Sequence, residues 1–317
     1  MMMEAAEQED EVFVYMGGDQ QVPDLVRRSK IHESVNIVRA NAFRNRRHLI
    51  SVEFHDGVEI IEEDAFADCT SLCGPIKLLG IKIIKECAFY FCSGLTDVDF
   101  GDQLETIGQS AFNMCIRLTN VRIPSVRTIG ESAFFGCSKL YDVEFGGALR
   151  TLQRWAFHCC SKLKRVALPL KDDMIEDDAF LGCYKITTVD VVGGIHNTIA
   201  SLHLEGWRNE MNNEINSINQ ILPTITLRKT GAIQQWLRTV ISRLDHYKAE
   251  HILLLKEATT LLELALWKAN LDNEGDRLER EGVRTTRSHR KRARKEICVT
   301  SGASIVIKNV LPFLALK

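Results

Sequence analysis

The chain predicts the α+β class: a solenoid of short coils carrying a short parallel sheet, followed by a small α-helical bundle. Three observations predict it. An Ala-Phe pair recurs seven times, at Ala42, Ala65, Ala88, Ala111, Ala133, Ala156 and Ala179, in steps of 23 residues with a single step of 22. After each pair comes a Val-x-Φ segment, Φ being Phe, Leu, Ile or Val, with the alternation of a half-buried strand. Past Gly193-Gly194 the pair stops, and apolar residues recur at steps of three and four, the helical period.

The opening segment, residues 1–11, is acidic and holds no apolar run long enough for a secretory signal. It reads as a disordered tail, and the expected location is intracellular, cytoplasmic or nuclear. Residues 12–194 form the solenoid. A coil this short cannot close a core by itself and buries its apolar side against the coils on either side. The fifth copy shows the unit as Ile129, Ala133, Phe134, Cys137, Leu140, Val143 and Phe145. Ala-Phe-x-x-Cys reads as a helical or tight turn. Coils stacked at about 4.8 Å give a parallel sheet roughly 30 Å long, with the phenylalanines in a column down the interior. Burying one such ring contributes on the order of 1.5–3 kcal/mol, whereas ordering one residue's backbone costs about 1–2 kcal/mol, so neighbouring coils must share stability.

These units, I-x-x-x-A-F-x-x-C-x-x-L-x-x-V-x-Φ, resemble the leucine-rich repeats of the BspA-like class. The connectors Phe100-Gly101, Phe145-Gly146 and Ile123-Pro124 also look like that family. The resemblance covers about residues 25–192 and implies a right-handed solenoid with a binding role and no catalytic residues to transfer. Members of the class are often described as secreted or surface adhesins, which makes an adhesin the main rival to an intracellular protein. Two copies depart from the pattern. Arg46 stands where later copies have Cys, a polar substitution that suits a terminal coil, and Cys73-Gly74-Pro75 shifts Ile76 and Leu78 by one position, which implies a local bulge.

Six of the ten cysteines, at 69, 92, 115, 137, 160 and 183, share one repeat position and should form an inward column of reduced thiols. A column spreads thiolates along an axis, whereas zinc needs them around one point. Cys159 and Cys160 point to opposite faces if extended. No metal or other cofactor is expected. Forty basic residues against 42 acidic ones set up no global field that would mark a nucleic-acid or membrane binder.

Between Val and Φ one residue per coil faces solvent: Glu53, Lys77, Asp99, Arg122, Glu144, Ala167 and Asp190. Their signs largely alternate. One reading is self-compensating ion pairs, each contributing about 0–1 kcal/mol. The other makes Asp97, Asp99, Arg122, Asp142, Glu144 and Arg165 a partner-binding face, since solenoids present their sheets as extended binding surfaces.

Residues 195–272 form the helical module. Leu204, Trp207, Met211, Ile215, Ile218 and Leu222 make one apolar stripe that Pro223 ends. From Thr230 to about Leu271 a second pattern runs, apolar over more than one face between Leu253 and Trp267, as in a helix buried by several partners or used for self-association. Its charges, Lys256, Glu257, Glu263 and Lys268, argue against a membrane span. Residues 273–300 read as a flexible basic loop, and 301–317 as a C-terminal helix packing on the module. Within the loop, Arg290, Lys291, Arg292, Arg294 and Lys295 are candidates for a nuclear-import signal, or the run is a solvated linker; a nuclear nucleic-acid-associated factor is the second rival. His246 and His251 miss the four-residue step that would place two imidazoles on one helical face. The expectation is a non-enzymatic protein-interaction scaffold with a protein partner, no nucleic acid, and possible homo-oligomers through the helical module.

Overall fold

The structure, a computed structural model, describes residues 12–280 apart from Ser201, His203 and Thr226. It is a β-solenoid of about seven coils followed by a helical region. Nine strands line one face: Val12–Tyr15, Arg28–Ile31, Ser51–Glu53, Pro75–Lys77, Asp97–Asp99, Asn120–Ile123, Asp142–Phe145, Arg165–Leu168 and Thr188–Val191. Every pairing among them is parallel and follows chain order. The ladder breaks twice, ahead of Pro75, which has no N–H to give and follows Gly74 with φ 83°, and again between Asp97–Asp99 and Asn120–Ile123. The expected bulge is thus an interruption of the sheet. Six two-residue strands, from Ile37–Val38 to Thr151–Leu152, form a second parallel row.

The Ala-Phe segment is a turn rather than a helix. Two residues per coil adopt the left-handed conformation, one just before the Ala and one just before the Cys position, with φ from 52° to 61° at the first and 56° to 77° at the second. For a residue other than glycine this costs about 1–2 kcal/mol. Bonds to the next coil offset it. Each Phe N–H from Phe43 to Phe157 donates to the Ala carbonyl of the following coil at 2.7–2.8 Å, and the second left-handed residue does likewise, as in Cys159 N–H to Leu181 O at 2.8 Å. At the connector after Asp142–Phe145, a Cβ on Gly146 would collide with the Pro124 carbonyl of the coil before, which is why glycine follows phenylalanine there.

The phenylalanines stack in one buried column with centroids 4.8–5.7 Å apart from Phe43 to Phe180, and Tyr15 starts it at 5.2 Å from Phe43. Beside it the six repeat cysteines are buried, each S–H donating to the Phe carbonyl of the preceding coil at 2.9–3.3 Å. Burial pushes the Cys69 thiol from 9.0 up to about 12, and holds Cys92, Cys115 and Cys160 well above the ordinary thiol range. At the first coil Arg46 replaces the thiol. It closes the end by donating from Nε to Val22 O at 2.8 Å and pairing with Asp24 at 3.0 Å.

Among the described residues three helices follow: α1 (Ile195–Ile199), α2 (Glu205–Ile221) and α3 (Lys229–Arg280), with a 3₁₀ turn at Leu222–Thr224 around Pro223. Residues 209–243 belong to the same compact unit as the solenoid. They finish its last coil. Phe180 has no following coil, so its N–H donates to Thr230 Oγ1 at 3.0 Å. The Asn219 amide imitates a neighbouring strand, accepting from Val189 N–H at 2.7 Å and donating to Val189 O at 3.2 Å. Gln234 Nε2 donates to Ile175 O at 2.8 Å, and Lys229 Nζ donates to the Ile186 and Leu222 carbonyls, with burial lowering its pKa. Met211, Ile215, Ile218, Leu222, Ile233, Leu237 and Val240 are buried, so the helical stripe covers apolar surface as its spacing implies, while Leu204 is exposed.

Residues 200–208 and 244–280 cluster as a second unit. In it the Trp207 and Tyr247 rings stack at 5.2 Å, and His251 meets Trp207 edge-on at 6.4 Å. Among the described residues this region is helical without being a closed bundle: Ile252, Leu253, Leu254, Leu261, Leu262, Leu264 and Leu266 are 43–67% exposed. α3 also runs on to Arg280, through residues 273–280 that composition alone assigned to a loop; Glu and Arg there are good helix formers. The acidic tail 1–11, the basic run 284–295 with its import candidates, and the segment 301–317 lie outside the described residues.

Two outcomes follow from the closed column. Thr230→Val leaves the buried Phe180 N–H unpaired and should cost about 1–3 kcal/mol in urea unfolding, whereas Thr239→Val, on an exposed helix face, should cost close to nothing. A thiol whose pKa is raised by folding contributes stability that is complete below its unfolded pKa and lost as pH climbs toward the folded value. Unfolding midpoints should therefore drop between about pH 9 and 12, less steeply in Cys69→Ala.

Candidate recognition surface

The face strands align one position per coil in the register that the repeat implies, Lys77 beside Asp99, Arg122 beside Glu144, Glu144 beside Ala167, and Ala167 beside Asp190, and of these Ala167 is buried where the sequence placed it in solvent. Two positions earlier in each strand a second column runs Asp97, Asn120, Asp142, Arg165 and Thr188. The six residues singled out from the sequence all lie on these two columns. Asp97 and Asp99 are exposed, and Asp99 Oδ1 accepts the Gly101 N–H at 3.1 Å. Arg122 is mostly in solvent, with its Nε 3.6 Å from Glu144 Oε1.

Arg165 is different. Its Nε donates to Asp190 Oδ2 at 2.6 Å, its Nη1 to Asp142 at 2.9 and 3.2 Å, and Glu144 Oε2 lies 3.8 Å away. Burial disfavours the guanidinium charge, but the bonds it donates to Asp190 and Asp142 outweigh this and raise its pKa. One half-buried cation thus ties together three carboxylates, two on the strand before its own and one on the strand after. Reading each column separately misses this, because Asp190 sits two residues past the register partner of Arg165.

Beside this network lies a cleft of about 460 Å³, lined by Glu144, Arg165, Ala167 and Asp190 from the strands, the backbone of Val192–Gly194, and Ile195, Asn212, Ile215, Asn216 and Asn219 from the helices. Its origin is legible in the repeat. From Glu53 to Asp190 the face column is otherwise charged, and Ala167 leaves a dent between Glu144 and Asp190. Ala167 is 3% exposed and floors the recess. Sequence reasoning named neither Asp190 nor the asparagines of α2 as site residues; the small residue in an otherwise charged column was the available signal.

Among the described residues no group of three or more His, Cys, Asp or Glu is placed to hold a metal ion, and no helix is long and apolar enough to cross a membrane. His246 pairs with Glu250 at 3.7 Å on α3.

Comparison with known proteins gives the following. The BspA type leucine rich repeat region matches in six copies, over residues 25–125 and 82–202. A search of curated proteins found no match. Among solved structures the chain is similar to a leucine rich repeat protein of T. pallidum, at 32% identity and TM-score 0.45 over 47% of this chain and 71% of that one. It is also similar to a leucine rich cell surface protein from Faecalibacterium prausnitzii, at 27% identity and TM-score 0.45, covering 57% of this chain and 47% of that one. A leucine-rich repeat protein from Bacteroides ovatus matches at 22% identity and TM-score 0.37 over 54% of this chain and 60% of that one.

The geometry separates the two arginines of the face. Arg165→Glu should lower stability by about 1.5–3 kcal/mol, since it strands three carboxylates beside a fourth, while Arg122→Glu should shift it by less than about 1 kcal/mol. Thermal melts of the two single variants check this.

Proposed function

The chain belongs to the BspA type leucine-rich repeat family, and from that premise we propose that it is a non-catalytic recognition protein that captures a polypeptide partner on its strand face. One observation carries this reading: parallel strands, paired in register within three successive ladders, hold two columns of side chains on a backbone whose hydrogen bonds are largely made within the stack. A partner on this face meets side chains rather than an open sheet edge. Selectivity then comes from the order of charges along the stack, in which Asp97 and Asp99 form an acidic pair beside the exposed Arg122. Flat face geometry with few aromatic groups favours a polypeptide over stacked bases.

An intracellular site of action is part of the same proposal. What supports it is the chemistry of the cysteine column, which works through S–H donors, the form that a reducing compartment maintains.

The test uses the full chain as bait. Asp97→Lys with Asp99→Lys should lose the partner that the unaltered chain captures, with a melting curve displaced by no more than about 1 kcal/mol in stability. Undiminished capture by this variant would remove the strand face from the account.

A further inference from the structure

We propose that the cleft above Ala167 receives a basic side chain, lysine or arginine, of the polypeptide bound on the strand face; the idea rests on the strand-face reading and names what that face selects. The charge inventory comes first. Asp142, Glu144 and Asp190 bring three carboxylates to this end of the sheet, against Arg165 and, on the side away from the recess, Arg122. The site keeps a negative balance even with both arginines counted. Arg165 does not recruit an anion, because its Nε and Nη1 are already given to Asp190 and Asp142. A cation entering beside Glu144 and Asp190 meets carboxylate oxygens that one guanidinium leaves in excess.

Shape and lining agree with the charge. A lysine or arginine carries its charge on an apolar stem, and the recess supplies both environments. Ala167, Ile195 and Ile215 form an apolar wall, while Asn212 and Asn216 add amide groups at the helix side. Asn216 Nδ2 donates to Asn212 O at 2.8 Å, which fixes this pair along α2. The rim at Gly193-Gly194 carries no side chains, and a Cβ at either position would meet nothing within 4 Å, so the mouth is open. The volume of about 460 Å³ lies in the range of small-ligand sites and holds one long side chain with part of its backbone. The other Ala-Phe coils do not offer this recess, because the residue corresponding to Ala167 is charged in each of them: Glu53, Lys77, Asp99, Arg122, Glu144 and Asp190.

The experiment titrates the full-length chain with acetylated, amidated pentapeptides Gly-Gly-X-Gly-Gly, X being Lys, acetyl-lysine or Glu, and follows the side-chain amide resonances of Asn212, Asn216 and Asn219 by NMR. The Lys peptide should shift these resonances and bind at least about tenfold more tightly than the acetyl-lysine peptide, with no shift from the Glu peptide. Ala167→Arg, which fills the recess, should abolish the response, and the near-isosteric Asp190→Asn should weaken it about fivefold or more. Equal binding of all three peptides, silence of the three asparagines, or an unchanged response in Ala167→Arg would overturn the proposal. The two readings fail separately. A captured partner that is lost with Asp97→Lys and Asp99→Lys but retained by Ala167→Arg sinks the cleft and leaves the face; Lys-peptide binding without any effect of Asp97 and Asp99 on capture does the reverse.

Discussion

The bond on which the rest of the molecule depends is the Phe N–H of one coil donating to the Ala carbonyl of the next. It makes every coil incomplete. The phenylalanine rings stack only because this bond, repeated at 2.7–2.8 Å, holds successive turns at ring-stacking distance, and the thiols reach the Phe carbonyls only because the same turns are in register. Each coil accepts the strain of two left-handed residues for the sake of these ladders. A stack built this way has a donor left over at one end, and the final coil would expose Phe180 and the edge of Thr188–Val191. Thr230, Asn219, Lys229 and Gln234 remove that problem one group at a time. The first turns of α3 and most of α2 are therefore part of the solenoid's own closure.

Rigidity of the stack is what gives its face chemical meaning. Because strands pair without slippage, a substitution in one coil has a fixed address on the surface: Ala167 falls between Glu144 and Asp190 and opens a recess, and Arg165 falls between Asp142 and Asp190 and binds them. The same charges that would repel at strand spacing are held by a shared guanidinium. Stability and recognition thus draw on overlapping residues at the C-terminal end of the face, while Asp97 and Asp99 stand clear of the network and Arg122 touches it only through Glu144.

Much of this was legible before any coordinates. Column membership follows from the period, so the buried phenylalanines, the inward cysteines, the charged face residues and the polar Arg46 at the first coil land where counting puts them, whereas Ala167, expected to face solvent, is buried. Geometry that does not repeat, or that repeats in conformation without repeating in residue type, was not. The left-handed sites carry Asn41, Asp64, Asn45 and Asp68, which signal a turn, but also Cys87, Phe91, Met114 and Trp155, which do not; the backbone bonds to the next coil dictate their conformation. The capping residues are single polar side chains on helices, invisible to a pattern of apolar spacing. The continuation of α3 through residues 273–280 follows from the helix-forming character of Glu and Arg, outweighed in a composition-based reading by their charge.

Backbone amide exchange at Phe43, Phe112 and Phe180 in the full chain measures the dependence of coils on one another directly. If the stack is one cooperative column closed by the helices, the three amides share the protection of global unfolding. Exchange at Phe180 faster than at Phe112 by about tenfold or more, under conditions where the chain stays folded, would contradict it, since the last coil would then open by itself.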